Sequence, residues 1–418
     1  MEKQPVTNTM KWRALSAIAA AGSLLALAAC SSGAPAASDH GPLSMYTWVG
    51  SEGDRAQWDS FIKLGKAVDP TIPQINFDGP SFDDYWTKVK TRLQGSNPPC
   101  ILTTQAARAQ ELKNLLMPLD DLIKKYKVNT SELDQSMLKG MTVDGKVRAI
   151  SYDAEPMVLF YNADSFKKAG LQLPSAEYSR DQFLADAKKL TKPGHYALAI
   201  ETGNFFPNAW TIAGGAEWVK NGQLDLQNPK LASELQSYFD LVNKEHVAKA
   251  PEAADDSAVQ QQAFTGGKVD MLIEGPWNYG GFKDAAKFNL GVTVVPTPDG
   301  KAQSMTAGSG FGIAANCKRP DDAFKAIVAM TSQKVLEQQA AKLGIVPARP
   351  SALHSWADGK TPEAAEAVKA SLDNGIPQIT TPTWNQVSTL FTQYSIEGYQ
   401  GTKTAEEILK TINDSVQG

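Results

Sequence analysis

The sequence is poor in the residues that most often carry catalysis or metal chemistry. Among 418 residues there are three cysteines and four histidines. His40, His195, His246 and His354 are scattered without metal-ligand spacing, and no serine or cysteine sits in a nucleophile motif. No metal, no cofactor and no catalytic residue is therefore expected. Runs of basic residues are also missing. Against 41 Lys and Arg stand 45 Asp and Glu, a balance that argues against a nucleic-acid partner. No apolar stretch is long enough to read as a transmembrane helix. There is no internal repeat, and the low-complexity sequence is confined to 31–41 (SSGAPAASDHG).

What is present begins with a targeting segment. Lys11-Trp12-Arg13 precedes an apolar run from Ala14 to Leu27, followed by small residues rather than a stop-transfer pattern. Residues 1–29 read as a signal peptide and 30–42 as a flexible tether. Leu27-Ala28-Ala29-Cys30 resembles the lipobox of bacterial lipoproteins. That resemblance implies cleavage before Cys30, lipid on its sulfur, and an exported chain tied to the cell membrane. Loss of the segment, with three basic side chains and one acidic, moves the formal charge from −4 to −6. Cys100 and Cys317 remain, a candidate disulfide in an oxidising compartment or else two free buried thiols.

The remaining chain alternates strand and helix patterns, which implies α/β architecture. Strands are expected at Leu43–Trp48, Gln74–Phe77, Cys100–Thr103, Tyr196–Ile200, Val269–Glu274 and Leu290–Val295, with a long glycine-broken one at Ser304–Ala315. Helices are expected at Ala56–Val68, from Ser81 as N-cap, at Ala107–Leu116, Ser131–Lys139 and Ser179–Leu190, and repeatedly after Asp322. The stretch Ile150–Asn162 stands apart. Met157–Tyr161 is a continuous apolar run of the kind buried on both faces. Tyr152, Asp153 and Glu155 lie directly before it. Lone buried carboxylates are costly, so these acids need a cation or a polar ligand. The segment reads as a passage between two lobes, with its acids facing the gap.

Several motifs then fall in a familiar order. They are Tyr161-Asn162-Ala163-Asp164-Ser165-Phe166, Phe264-Thr265-Gly266-Gly267-Lys268-Val269-Asp270-Met271, Glu274-Gly275-Pro276-Trp277, Gly308-Ser309-Gly310-Phe311-Gly312-Ile313, Gly344-Ile345-Val346-Pro347-Ala348-Arg349, and Asn374-Gly375-Ile376-Pro377-Gln378 followed by Trp384. Together they resemble the extracellular solute-binding proteins of ABC importers, in the carbohydrate-binding, maltose-binding-protein-like branch. Cys100 departs from the pattern, since the family usually has Asp at the start of this strand. The resemblance implies a two-lobed periplasmic-binding-protein fold of type II with three crossings. Residues 43–152 and 307–352 would form lobe I, and 153–306 and 353–418 lobe II. It also implies a carbohydrate ligand, permease subunits as partners, and a monomer that closes on its guest by a hinge.

Ligands of open α/β sheets sit beyond the carboxyl ends of strands. Trp48, Gln105, Asp153, Glu155, Trp277 and Trp384 lie near strand ends or open a helix. Glu155 matches a ligand-binding acid of the branch, and Trp277 and Trp384 match its stacking rings. Phe205 or Phe206 falls near a further stacking position, with Phe206 the named candidate; Trp210 and Arg349 complete the set. Each has a plainer reading. Trp277 could pack after its turn, Trp384 belongs to an apolar stripe with Val387 and Leu390, and Trp48 and Trp210 could be core. Asp153 and Glu155 could pair with Arg148 or Arg349, and Arg349 could be a brace. Phe82, Tyr85 and Trp86 are assigned to the core of their helix. The resemblance also sets strand three beside the returning strand, antiparallel, and so implies a Cys100–Cys317 disulfide. Two alternatives in function are a membrane-anchored glycan hydrolase using its two acids and a receptor for a non-sugar solute such as a glycerophosphoryl compound.

Overall fold

The computed structural model describes residues 41–95, 97–252 and 257–417. The targeting segment, Cys30 and most of the tether lie outside them. One sheet has five strands in the order Ile75–Asp78, Leu43–Tyr46, Ile101–Gln105, Ser309–Ile313, Ala149–Ser151. The first three are parallel, and Ser309–Ile313 runs antiparallel to both of its neighbours. Parallel strands need a crossover, supplied here by helices Glu52–Val68 and Phe82–Gln94. The first helix starts four residues earlier than its apolar pattern suggests. Ser51 Oγ accepts from the Asp54 amide and Asp54 accepts from the Ser51 amide, a reciprocal cap that fixes the start. Ser81 precedes the second helix but makes no side-chain cap bond.

A second sheet of four strands runs Leu290–Val294, Val158–Asn162, Val269–Glu274, Tyr196–Leu198. Every residue of Val158–Asn162 is buried, because the strand is paired on both edges and covered on both faces. A third, three-stranded sheet joins Gly375–Pro377, Ser304–Ala307 and Glu155–Pro156. The long strand expected over 304–315 is therefore two strands in two sheets, parted at Gly308. A Cβ there would meet the Met137 Sδ at 2.7 Å and the Asp153 carbonyl oxygen at 2.8 Å, so only glycine lets the chain change sheets at this point.

Apolar side chains gather into two large cores. One contains Trp58, Phe61, Tyr85, Phe311 and Phe324; the other contains Phe160, Trp210, Tyr238, Trp356 and Tyr399. Helices Pro362–Asp373, Trp384–Tyr399 and Ala405–Gln417 pack into the second core. Local chemistry shortened two expected helices. Residues after Gln105 form a 3-10 turn and then only Ala109–Leu112, while Asp134 caps a separate helix at Gln135–Gly140. Cys100 and Cys317 are disulfide-bonded with their Cα atoms 4.8 Å apart, at the edge where Ile101 faces Ile313.

Candidate functional site

Three backbone segments lie side by side between the two cores. The middle one is 151–156. On one side Tyr152 N donates to Ser309 O at 3.0 Å, and Ala307 pairs with Glu155. On the other, Ala154 N donates to Val346 O at 2.9 Å and Ala348 N to Tyr152 O at 3.1 Å. Asp153 and Glu155 project from this middle segment onto the wall of a cavity of about 660 Å³. Asp153 accepts from the Ser309 amide, and Glu155 Oε1 accepts from the Val346 amide at 2.9 Å. Glu155 Oε2 is buried without a partner.

Neither acid has an ion pair among the described residues. Arg349 is turned away, donating to Thr331 O and Glu132, each at 2.8 Å, and Arg148 donates to Leu116 O. Burial therefore acts on the acids unopposed by a cation. It pushes the Asp153 carboxyl up to about 7. Burial raises Glu155 as well, and the neighbouring Asp153 charge adds to it. Among the described residues one positive side chain reaches the cavity, Arg108, and it is already engaged. It donates to Asn385 Oδ1 at 2.8 Å, pairs with Glu111 at 3.1 Å, and lies 5.0 Å from the Trp86 ring centre.

Aromatic rings line the cavity from both cores. From the first come Trp48, Phe82 and Trp86. Trp48 meets Phe82 edge-on at 5.2 Å and Tyr85 at 5.6 Å, and its carbonyl accepts from Trp58 Nε1 at 2.7 Å. From the second core come Phe205, Trp277 and Trp384. Trp277 follows strand Val269–Glu274 on a short 3-10 turn and is 38% exposed. Its ring folds back over Gly275, where a Cβ would come within 1.9 Å of it. Glu274 braces the turn by accepting from the Gly275 amide at 2.8 Å and from Gln261 at 2.9 Å. Trp384 opens its helix, and Trp218 packs against it edge-on at 5.8 Å.

Of the residues singled out from sequence, Trp48, Gln105, Asp153, Glu155, Trp277 and Trp384 line this one cavity. Phe206, Trp210 and Arg349 do not. Phe206 is wholly buried, and its helix turns Phe205 to the cavity instead. Trp210 is core: Arg180 covers its ring at 4.2 Å and its Nε1 donates to Ser237 at 2.9 Å. Arg349 braces Thr331 and Glu132, as the alternative reading allowed. Tyr85 and Trp86 are core, as assigned from their helical stripe, with Trp86 also bordering the cavity, whereas Phe82 is exposed and lines the cavity. Arg108, Asn204, Gln378, Asn385 and Ser388 also line it. Gln378 follows the strand Gly375–Pro377, so the rule of strand carboxyl ends would have found it. Nothing local in the sequence marks Arg108 or Asn385.

Residues 63–370 match the family model described as bacterial extracellular solute-binding protein. The chain belongs to that family. As a solute-binding protein it works outside the cytoplasm. Among curated relatives it is similar to a maltooligosaccharide ABC transporter solute-binding lipoprotein of Streptococcus pneumoniae serotype 4, 26% identical over 352 residues and covering 78% of each chain. Among solved structures it resembles a Listeria monocytogenes ABC substrate-binding protein in complex with cycloalternan, at 23% identity and a TM-score of 0.76, covering 91% of this chain and 98% of that one. It also resembles a Mycobacterium tuberculosis protein in complex with glycerophosphocholine, at 20% identity and a TM-score of 0.74, covering 90% and 98%. These structural likenesses bear on the fold, which is the two-lobed α/β architecture of periplasmic binding proteins.

Proposed function

We propose that this chain is the substrate-capturing component of an ABC importer, taking a sugar or oligosaccharide into the cavity and passing it to transmembrane permease subunits. The observation that carries the reading is one cavity lined by aromatic rings from both sides and by two buried carboxyls. A sugar ring has apolar faces that stack on aromatic side chains, each able to bury roughly 150–250 Å². Its hydroxyls need hydrogen-bond partners fixed in place, and bonds to charged acceptors are the stronger kind. In this reading Trp48, Trp277 and Trp384 stack, and Gln105, Asp153 and Glu155 hold hydroxyls. The maltooligosaccharide-binding description of the pneumococcal relative supports the ligand class.

Residues 43–152 and 307–352 then act as lobe I, and 153–306 and 353–418 as lobe II. The three crossings fall at 152–153, 306–307 and 352–353, and they form the hinge. Cys30 carries the lipid that holds a monomer at the bacterial membrane. The protein is not an enzyme in this reading: acids two apart on one backbone segment share one wall and are poorly placed to flank a scissile bond. A glycerophosphoryl ligand fits less well, because its phosphate would meet two carboxyls and an arginine already paired with Glu111. The test is a thermal-shift screen against a glycan panel, with product analysis of each hit. A stabilising saccharide recovered uncut supports the receptor. Turnover, or stabilisation by glycerophosphodiesters alone, would replace it.

A further inference from the structure

The charge on the cavity wall is one-sided. Among the described residues lining it, the charged ones are Asp153, Glu155 and Arg108. Arg108 pairs with Glu111, a carboxylate it shares with Lys90 at 2.5 Å, and its guanidinium is further tied to Asn385. The two acids have no ion-pair partner among the described residues. They accept single backbone bonds, and Glu155, 3% exposed, leaves Oε2 without any partner. A guest settling over them removes the remaining water and deepens the cost of their charge. Neutral hydroxyls relieve that only in part. A protonated amine relieves it directly, and the lining indoles Trp48, Trp277 and Trp384 favour a cation as well.

We propose that the cavity is built for a saccharide bearing a basic nitrogen, an amino sugar or amino-substituted oligosaccharide, whose ammonium group sits against Asp153 and Glu155. The proposal rests on the saccharide-receptor reading and narrows it. The high proton affinity that burial gives both acids is consistent with it, since an ammonium takes over the role of the bound proton.

The test is calorimetric titration of the purified protein at pH 7 with sugar pairs that differ only in hydroxyl against amine. Suitable pairs are glucose and glucosamine, cellotriose and the glucosamine trimer, and maltose and 6-amino-6-deoxymaltose. In the pair that fits, the amine member should bind about tenfold tighter or more. Asp153→Asn or Glu155→Gln should shrink that ratio several-fold, with circular dichroism checking that each variant is folded. Equal or tighter binding of the neutral member in every pair that binds would overturn the inference while leaving the receptor intact. Failure of all saccharides, charged and neutral, would overturn the receptor reading and this inference with it.

Discussion

The two aromatic walls of the cavity are built differently. On the first core's side, Trp48 is 8% exposed and wedged among Trp58, Phe82, Tyr85 and Trp86, with its carbonyl tied by Trp58. On the other side, Trp277 stands on a one-turn 3-10 segment, 38% exposed, with Phe205 as its one ring neighbour among the described residues. Trp48 is a continuation of its core, whereas Trp277 holds surface in reserve, so its ring gains most from being covered. Neither wall is uniform: Phe82, on the side of Trp48, is 42% exposed, and Trp384, on the side of Trp277, is 6% exposed. A fixed ring and an adaptable ring together let one fold accept guests of varied shape without loosening both halves.

Substitutions can break or sharpen that contrast, and the largest effect belongs to the first wall. Trp48→Ala should cost about 3–5 kcal/mol of stability, because it opens a cavity among four packed rings. Chemical denaturation measures this directly. Binding falls as well, so stability and affinity are lost together. Trp277→Ala should separate them. Affinity for the saccharide hit drops by about 2 kcal/mol, as for a central aromatic anchor, while the melting temperature stays near that of the parent. A melting temperature that falls as far as for Trp48→Ala would erase the contrast.

The contact across the mouth should matter less. Asn385→Ala removes the acceptor for Arg108 and should cost about 0.5–1.5 kcal/mol in affinity, read by calorimetry. A separate effect, on stability rather than affinity, is that of pH. Folding raises the Asp153 carboxyl from 3.8 to about 7, so the folded chain binds that proton more tightly than the unfolded one. Its contribution to stability is therefore fully present below pH 3.8 and is lost as pH rises through 7. The melting temperature should be a few degrees higher at pH 5.5 than at pH 8, and Asp153→Asn should flatten that slope. A slope of opposite sign, or one unchanged in the variant, would detach Asp153 from the effect.

The elements were legible where periodicity and burial agree. Val269–Glu274 has the same bounds in sequence and structure, and the apolar run before Asn162 is the doubly paired strand that its composition suggests. Boundaries set by side-chain caps were missed when the cap lay outside the apolar pattern, as at Ser51. The site was legible at strand ends, which is where Trp48, Gln105, Asp153 and Trp277 lie. It failed on helices, where one stripe serves two purposes. Phe82, Trp86, Val89 and Leu93 share a face, yet only the N-terminal turn of that helix reaches past the sheet to the cavity. Adjacent Phe205 and Phe206 could not be told apart because a helix separates neighbours by rotation, and the direction depends on packing. Gly308 was read as a break within one strand, since a glycine in sequence does not say which sheet the chain joins next.

The claim beneath the rest is that both walls grip one guest at the same time. Calorimetric titration of the parent protein, Trp48→Phe and Trp277→Ala with the saccharide that gives the strongest thermal shift tests it most directly. The account predicts one saturable site per chain, weakened by the change on either wall, with the sugar recovered intact. A saccharide whose affinity is untouched by both substitutions would contradict it.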